Sequence, residues 1–398
     1  MFRPLLPLPR SAMTTTRALI ALLFCFLAGQ QAAATPGISR IEPPGSPRGV
    51  EIEVVFRGRD LTEPQELFFE DSRIEVVSLE GVDAATAKAR LRLPADCPTG
   101  PHRLRIRTKD GLSELRSFRV GIFPQRAEVE PNNDFASAEQ VTLPATIAGV
   151  IKAEDVDCFK VRLPAGGRIA ATVDAVRLDQ QMFDPHLEIV DAQGFVIAAC
   201  DDHSLLGQDA MLTATVAEEG GYIIRLRESA YGGNDNSVYL LHIGDFPVPF
   251  AAWPPGGSPG AEIEVEWLGD PAGPFRQQVT LPAHAGVEAL ADVHPLRAGS
   301  VSPVPVPVRV SPLSATGEAE PNNAPGAATR ATAPAALFGR LDAEDDVDWF
   351  RLEAPKGTKW HVRGWGRRIG SPVDLVVNIH RDNDKRERIT GNDDAEGP

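Results

Sequence analysis

The sequence predicts an all-β protein made of tandem antiparallel β-sandwiches. Three observations lead to this prediction. Apolar and polar residues alternate over short runs, glycine and proline each occur 35 times among 398 residues, and two kinds of segment each occur twice. Alternation with a period of two, bounded by turn residues, is typical of strands that have one buried and one solvated face.

Residues 1–34 are predicted to be a secretory signal peptide. Arg17 precedes the apolar run Ala18–Ala28, and the small residues Ala32–Ala34 follow. A positive segment, a short apolar segment and small residues form the pattern of such signals. The run is shorter than the roughly 20 apolar residues of a membrane-spanning helix. We therefore expect a secreted, periplasmic or cell-surface protein with no membrane span after cleavage; the alternative is an N-terminal membrane anchor.

The charge and the cysteines narrow the expected partners and chemistry. The formal net charge is −15, from 40 Lys and Arg against 55 Asp and Glu, which disfavours nucleic acid and anionic membranes as partners. Cys97, Cys158 and Cys200 remain after signal removal, and their spacing predicts neither a disulfide framework nor a zinc site. Thiols are expected, with a Cys158–Cys200 bridge as the alternative.

One pair of sequence segments recurs in the same order and at nearly the same spacing. Glu128-Val-Glu-Pro-Asn-Asn133 returns as Glu318-Ala-Glu-Pro-Asn-Asn323, 190 residues later. Asp155-Val-Asp-Cys-Phe159 returns as Asp346-Val-Asp-Trp-Phe350, 191 residues later. This ordered recurrence predicts two copies of one module.

A second kind of segment precedes each copy. Pro43–Val54 is similar to Pro254–Val265, and the later copy continues into a proline-rich stretch at Val304–Val308, so it is predicted to be a reduced version. After the signal peptide we therefore predict four modules: A1 (36–124), B1 (125–247), A2 (248–317) and B2 (318–398).

The second B module is predicted to be incomplete. B1 continues for 45 residues after Cys200-Asp-Asp202, whereas B2 has four residues after Asn392-Asp-Asp394. We expect the chain to be a fragment of a longer protein or a truncated gene product, with B2 poorly ordered when expressed alone because its sheets have unpaired edges.

Strand positions follow from the alternation. The predicted inward-facing residues include Val50, Ile52, Val54, Phe56, Leu104, Ile106, Phe159, Val161, Leu163, Tyr222, Ile224, Leu226, Val238 and Leu240. The single helix expected is a short one near Asp134–Gln140, with Asp134 as its N-cap.

Several B-module motifs together point to a known family. They are the Glu-x-Glu-Pro-Asn-Asn opening, the Asp-Val-Asp-x-Phe strand, the Asp184–Gly194 stretch, the Asp201-Asp202 pair and the Gly221–Leu226 strand. In these residues the B modules resemble the bacterial pre-peptidase C-terminal (PPC) domain family. The resemblance covers all of B1 and about two-thirds of B2. It implies a jelly-roll-like sandwich and an accessory role in secreted proteins, often beside proteases.

The A modules carry a looser pattern. Its parts are the Ile38–Gly45 opening, the Arg57–Leu61 segment and the Thr99–His102 strand start. These resemble IPT/TIG domains, which implies an immunoglobulin-like sandwich. A2 departs from this pattern after Gly269.

The opening of each B module is the candidate site. Pro131 favours an extended backbone before it, so Glu128, Glu130 and Asn132 should project from one face. Carboxylate and amide oxygens suit Ca²⁺ rather than zinc, and the resemblance to the collagen-binding domains of clostridial collagenases also implies calcium. The predicted ligands are Glu128, Glu130, Asn132, Asn133, Glu154 and Asp157 in B1 and Glu318, Glu320, Asn322, Asn323, Asp345 and Asp348 in B2. The alternative is that the motif serves as a linker and helix cap.

No motif predicts catalysis. The chain has no His-Glu-x-x-His, and its Gly-x-Ser-x-Gly match at Gly256–Gly260 lies where no helix is predicted, so it lacks the strand-to-helix context of a catalytic serine. The acidic set Asp184, Asp201 and Asp202 is predicted to form soluble loop tips. A basic cluster near Trp360 and Trp365 is predicted to be a solvated face, with a polyanion or sugar site as the alternative; its members are Arg363, Arg367, Arg368, Lys385, Arg386 and Arg388.

Three functions fit these observations. The first is a non-catalytic binding or adhesion array with calcium-stabilised B modules and an extracellular protein or polysaccharide as ligand. The second is the accessory region of a larger secreted hydrolase, such as a protease, whose catalytic domain is absent from this chain. The third is a structural spacer in a cell-surface protein.

Overall fold

The regular secondary structure of the described residues is almost all β-strand. The computed structural model describes residues 35–284, 286, 289–383 and 385–393, so the predicted signal peptide at 1–34 lies outside the described residues. Over these ranges no helix is long and apolar enough to cross a membrane. The helical segments there are three short 3-10 turns at Val176–Leu178, Pro325–Ala327 and Arg367–Ile369. The all-β prediction is confirmed.

The chain divides into two compact units. The first comprises the residues up to Glu42, Gly49–Cys97 and Pro101–Phe118, and the second comprises Pro43–Arg48, Pro98–Gly100 and the residues from Arg119 onward. Most of module A1 lies in the first unit, and modules B1, A2 and B2 lie in the second.

The A1 region contains nine strands: β1 (Gly37–Glu42), β2 (Gly45–Pro47), β3 (Glu51–Arg59), β4 (Pro64–Phe69), β5 (Glu75–Asp83), β6 (Thr86–Arg92), β7 (Gly100–Thr108), β8 (Gly111–Leu112) and β9 (Arg116–Gly121). One antiparallel sheet has the order β1-β3-β6-β5, and β7 pairs with β4 and β8 in another. The predicted inward residues Val54, Phe56, Leu104 and Ile106 are at most 1% exposed. The period of two therefore identified these four core-facing positions correctly, whereas Val50, at the start of the same run, is 37% exposed and Ile52 is half-buried.

Module B1 is a sandwich of two five-stranded sheets. Its strands are β10 (Gln125–Ala127), β11 (Glu139–Gln140), β12 (Ala145–Val150), β13 (Val156–Leu163), β14 (Arg168–Asp174), β15 (Pro185–Val190), β16 (Val196–Cys200), β17 (Met211–Thr215), β18 (Gly220–Glu228) and β19 (Val238–Gly244). The sheet orders are β10-β12-β19-β14-β17 and β11-β13-β18-β15-β16. Residues from both sheets form one apolar core, with Phe159 and Ile224 from one sheet and Ile147 and Leu241 from the other.

Strand β19 departs from the expected one-sided burial. All seven of its residues are buried. Tyr239 and Leu241 join the main core, whereas Val238 and Leu240 pack against Leu178 on the other face. The expectation of a solvated face fails here because the 3-10 turn at Val176–Leu178 covers it.

The predicted helix at Asp134–Gln140 is wrong. The segment forms a turn that runs into β11. Asp134 Oδ1 accepts hydrogen bonds from the N–H groups of Ala136 and Ser137, at 2.9 and 2.8 Å. The cap was recognised correctly, but Glu139 and Gln140 pair with β13 instead of extending a helix.

Module A2 has its own core beneath two small sheets. Its strands are β20 (Ala251–Trp253), β21 (Gly256–Gly257), β22 (Glu262–Leu268), β23 (Phe275–Thr280), β24 (Ala289–Val293), β25 (Leu296–Arg297), β26 (Ser300–Val301) and β27 (Val306–Val310). The sheets have the orders β20-β22-β23 and β21-β27-β24, and the short pair β25-β26 lies beside them in sequence. Trp267 is fully buried in the core between the sheets.

Module B2 repeats the opening of B1. Its strands are β29 (Thr329–Ala331), β30 (Ala335–Phe338), β31 (Phe350–Leu352), β32 (Val377–His380) and β33 (Arg388–Asn392). Strand β28 (Ser314–Gly317) lies at the end of the predicted A2 range but pairs with β30. β28 pairs in parallel with β30, as β10 does with β12, and β29 pairs in parallel with β31, as β11 does with β13. The sequence repeat is therefore also a repeat of backbone pairing.

Candidate metal centre

Glu128 attaches the start of module B1 to strand β12. Its N–H donates to the Ala148 carbonyl at 3.0 Å, which continues the parallel pairing of β10 by one residue. Its side chain turns back, and Oε1 accepts the Val150 N–H at 2.8 Å. The Glu128 side chain thus accepts the hydrogen bond that a backbone carbonyl would accept if β10 continued along β12.

The Tyr239 hydroxyl lies between two carboxyl groups. It is 2.7 Å from Glu128 Oε2 and 2.5 Å from Asp157 Oδ2. A phenol has a single proton to donate, so one of these two contacts needs a second proton or a cation. Asp157 and Tyr239 are both fully buried. Negative charges on the Glu128 and Asp157 carboxylates at the same time would therefore be costly.

Three carboxylates converge beside this pair. Asp155 and Asp157 are two residues apart at the start of β13, and therefore share a face of the strand. Together with Glu130, each offers an oxygen such that all three oxygens lie within 4.8 Å of one another. Oxygen ligands of Ca²⁺ lie about 2.3–2.6 Å from the ion, so oxygens on opposite sides of one ion are about 5 Å apart. The three carboxylates fit around a single Ca²⁺.

The Asn132 side chain lies under the same carboxylates and is fully buried. In one amide orientation its oxygen faces Glu130 Oε2 and Asp157 Oδ1, and in the other its nitrogen donates to both at 3.2 Å. The first orientation is favourable only with a cation between the oxygens, and the second suits the metal-free site. The backbone carbonyl of Asn132 accepts the Cys158 N–H at 3.0 Å, which fixes Asn132 to β13.

A glycine leaves room for these groups. Gly149 is on β12, and a Cβ there would overlap Glu128 Oε2 and the Tyr239 hydroxyl. The close approach of the carboxylate and the phenol to the backbone therefore requires glycine at this position.

Module B2 reproduces the arrangement. Glu318 Oε1 accepts the Arg340 N–H at 2.7 Å, as Glu128 does from Val150. Glu318, Glu320 and Asp348 offer oxygens within 4.8 Å of one another, so the B2 set contains the counterpart of Glu128 where the B1 set contains Asp155. A Cβ on Gly339 would lie 2.5 Å from both Asp348 Oδ2 and Glu318 Oε2, so the glycine recurs as well.

Several buried polar atoms of B2 have no hydrogen-bond partner among the described residues. They are both amide atoms of Asn322, Glu318 Oε2, Asp346 Oδ1 and Asp348 Oδ1. Asn322 is fully buried. Buried oxygens without a hydrogen-bond partner destabilise a fold, because they have lost their contacts with water. A bound cation would supply the missing contact for these oxygens.

The proton affinities follow from this crowding. Burial raises the pKa of Glu128, and burial together with the Glu128 charge raises the pKa of Asp157 to about 9. In B2, burial and the Asp348 charge raise the pKa of Glu318 to about 7. Metal-free, each set therefore retains a proton near neutral pH, and a cation would displace it.

Two predicted ligands lie outside these sets. Glu154 and Asp345 are exposed, with φ values of 61° and 63°. At this left-handed turn the side chains point outward, and the next residues, Asp155 and Asp346, turn inward instead. Both inward residues were missed, although their spacing of two from Asp157 and Asp348 was visible in the sequence.

Asn133 and Asn323, which directly follow Asn132 and Asn322 in the sequence, are exposed. The Asn133 amide nitrogen donates to Asp155 Oδ1 at 2.7 Å, so this residue orients a carboxylate. Asn323 occupies the corresponding position in B2. The remaining predicted residues, Glu128, Glu130, Asn132 and Asp157 with Glu318, Glu320, Asn322 and Asp348, are brought together at the two openings.

Trp365 of B2 is partly covered by arginine, whereas Trp360 is 38% exposed. Arg309 lies over the Trp365 ring with its guanidinium carbon 3.9 Å from the ring centre, and Arg363 and Arg368 lie at 5.5 and 5.7 Å. The ring face that a sugar would need is therefore in contact with guanidinium groups.

Cys158 is buried and Cys200 is partly exposed, and both are thiols. Burial raises the pKa of Cys158 to about 11. A thiol held protonated in this way is a poor nucleophile.

No protein-family model matches the chain, and no curated protein matches it at a significant level. The solved structures similar to it include the pre-peptidase C-terminal domain of collagenase from Bacillus anthracis, with 16% identity over 29% of this chain and 98% of that one and a TM-score of 0.20. The periplasmic g-type lysozyme inhibitor PliG of Aeromonas hydrophila matches with 11% identity over 31% of this chain and 96% of that one, at a TM-score of 0.19.

SGBP-B from a xyloglucan utilization locus in Bacteroides uniformis matches with 10% identity over 54% of this chain and 74% of that one, at a TM-score of 0.21. Likenesses at these TM-scores do not identify a shared function. The function of this chain is therefore argued from its own residues.

Proposed function

We propose that the chain is a secreted, non-catalytic array of sandwich modules that binds an extracellular protein or polysaccharide, with Ca²⁺ stabilising the opening of each B module. The B modules are two copies of a PPC-like domain, and the A modules are IPT/TIG-like. The observation that carries the proposal is that one acidic arrangement, with the same backbone hydrogen bonds and the same underlying glycine, occurs twice in a single chain.

Calcium in this position would neutralise the clustered carboxylates. Glu130, Asp155, Asp157 and the Asn132 amide oxygen would hold it in B1. In B2, Glu318, Glu320, Asp348 and the Asn322 amide oxygen would hold it. Glu130 lies in the connection between β10 and β11, while Asp155 and Asp157 lie at the start of β13, so the ion would fix the first connection of the module against β13. Such a fixed opening would keep each module of a binding array ordered.

Calorimetric titration of the full chain with Ca²⁺, after stripping with EGTA, tests the metal. We expect two sites per chain. The variant Glu130→Gln/Asp157→Asn should lose one site and Glu320→Gln/Asp348→Asn the other. The matched control Glu154→Gln/Asp345→Asn alters exposed residues of the same loops and should retain both.

Thermal unfolding provides a second measurement. Ca²⁺ at 100 times its dissociation constant should stabilise a site by about 2.7 kcal/mol. A chain that binds no Ca²⁺ and has the same unfolding midpoint in Ca²⁺ and EGTA would overturn the calcium assignment.

The ligand class is tested separately, on a glycan array and on immobilised extracellular matrix proteins, with and without Ca²⁺. Calcium-dependent retention on one of these surfaces supports the binding function. Retention on neither would contradict it, even if both metal sites were present.

A further inference from the structure

A set of metal-ligating side chains of different chemistry lies in the first unit, within module A1. Cys97 follows β6 in a turn where its N–H donates to the Pro94 carbonyl at 3.1 Å. His102 is five residues later, on the inward face of β7. Asp71 comes from the loop after β4. The sulfur, nitrogen and oxygen ligands thus come from two loops and one strand.

The three side chains converge. The Cys97 thiol, a ring nitrogen of His102 and a carboxylate oxygen of Asp71 lie within 4.8 Å of one another. His102 Nδ1 is 3.8 Å from Asp71 Oδ2. Cys97 is fully buried and His102 is 6% exposed, so this is an interior position with Asp71 at its outer side.

The Asp71 carboxylate is held in place by Arg73. The guanidinium Nε is 2.9 Å from Oδ1, and Nη2 is 2.5 Å from Oδ2. Carboxylates that bind metals are themselves hydrogen-bonded in this way, because a fixed carboxylate loses less freedom on binding.

The outer side of the set opens to solvent. Asp71 and His102 line a surface cavity of about 460 Å³ together with Glu70, Ser72 and Pro101. The cavity gives an ion access to Asp71 and His102, and it leaves room for a fourth ligand.

We propose that Asp71, Cys97 and His102 form a Zn²⁺ site, with a water molecule or Glu70 in the fourth position. Around a tetrahedral zinc with bonds of about 2.0–2.3 Å, neighbouring ligand atoms are about 3.3–3.6 Å apart. The observed separations therefore need to contract by roughly 1 Å, a change within reach of side-chain rotation in a surface loop.

The ligand types decide the metal. Thiolate and imidazole favour zinc over calcium, whereas the acidic sets of the B modules consist of oxygen ligands alone. Without a metal, the same residues would be an ordinary buried thiol and histidine beneath a loop.

Cobalt titration of the full, EGTA-stripped chain separates these two interpretations. Co²⁺ bound to a thiolate gives a near-ultraviolet charge-transfer absorption, which Zn²⁺ should abolish by displacement. We expect one equivalent of this absorption per chain. Cys97→Ala should remove it, and the matched variants Cys158→Ala and Cys200→Ala should retain it.

Asp71→Asn and His102→Gln should each weaken Co²⁺ and Zn²⁺ binding by at least about tenfold. Asp71 is at the surface, so its variant tests the site even if Cys97→Ala fails to fold. Absence of the absorption in the unaltered chain, or its persistence in Cys97→Ala, would overturn the proposal. Calcium titration of Cys97→Ala should still show both B-module sites, so failure of either metal assignment can be recognised independently of the other.

Discussion

Arg168 and Asp270 form a bidentate ion pair between module B1 and module A2. Nη1 is 2.9 Å from Oδ1 and Nη2 is 2.9 Å from Oδ2. The buried carboxylate also accepts the N–H groups of Val248 and Ala272, at 2.9 and 2.8 Å. Burial acts to raise the pKa of Asp270, but the hydrogen bonds from Arg168 and the two backbone groups lower it overall. The junction between these modules therefore rests on a fully hydrogen-bonded charge.

Asp270→Asn should destabilise the chain by roughly 3–5 kcal/mol, because it leaves the Arg168 guanidinium without its partner charge in a largely buried position. Urea unfolding measures the change. Arg162→Ala is the control: Arg162 pairs with Glu219 at 3.8 Å and both side chains are mostly exposed, so a loss within about 0.5 kcal/mol is expected. Equal losses in the two variants would show that the junction is not held by this pair.

Gly149→Ala should destabilise the chain by about 1–3 kcal/mol, since the new methyl group overlaps Glu128 and Tyr239. The same substitution should weaken calcium binding at the B1 site, which calorimetry can measure. Gly121→Ala introduces a methyl group with no atom within 4 Å and should be nearly neutral. If Gly149→Ala bound Ca²⁺ normally, the close packing of Glu128 against β12 would not matter to the site.

Tyr239→Phe should cost about 1–3 kcal/mol in EGTA, because Glu128 and Asp157 lose the hydroxyl that separates them. Saturating Ca²⁺ should recover part of this loss, since the ion neutralises the same carboxylates. Unfolding midpoints with and without Ca²⁺ give both values. Tyr231→Phe, at an exposed position, serves as the control. A loss that is the same in Ca²⁺ and EGTA would argue that the hydroxyl acts only in core packing.

His203 should make stability depend on pH between about 4 and 6.5. Burial, with a smaller contribution from Arg177, lowers the pKa of His203 from 6.5 to about 4. The unfolded chain therefore binds more protons than the folded chain in this window, so stability falls as the pH decreases through it. In the fold, Nδ1 faces the Leu205 N–H at 3.3 Å and must be unprotonated to accept it.

The pH dependence of urea unfolding checks this prediction. His203→Gln should flatten the curve between pH 4 and 6.5, while His284→Gln, at an exposed histidine, should leave it unchanged. An unchanged slope in His203→Gln would assign the dependence to other groups.

The strands could be predicted from the sequence because alternation reports burial directly. Leu104 and Ile106 alternate with Arg103, Arg105 and Arg107, and both apolar side chains are at most 1% exposed. Where both faces of a strand are covered, as at β19, the alternation carries less information. The covering turn at Val176–Leu178 lies about 60 residues away in sequence, beyond the reach of any local pattern.

The candidate centre was predicted in part for a similar reason. Glu130 and Asp157 carried recognisable spacing, but Glu154 was chosen over Asp155 because the left-handed φ at Glu154 cannot be read from a glutamate. The partnership of Glu128 with Tyr239 joins residues 111 positions apart. The cluster of Asp71, Cys97 and His102 likewise depends on loop placement, and spacing alone had argued against zinc.

The pairing of β10 with β12 and of β12 with β19 has a consequence for how such chains are assembled. Gln125, the first residue of β10, is level with Thr146, and Ile243 near the end of β19 is level with Ala145. The polypeptide thus arrives and departs at the same border of one sheet, about 10 Å apart across a single intervening strand. A unit with neighbouring termini can be duplicated, lost or grafted elsewhere in a gene with little disturbance to what flanks it, which gives a physical route to a chain in which the same opening occurs twice.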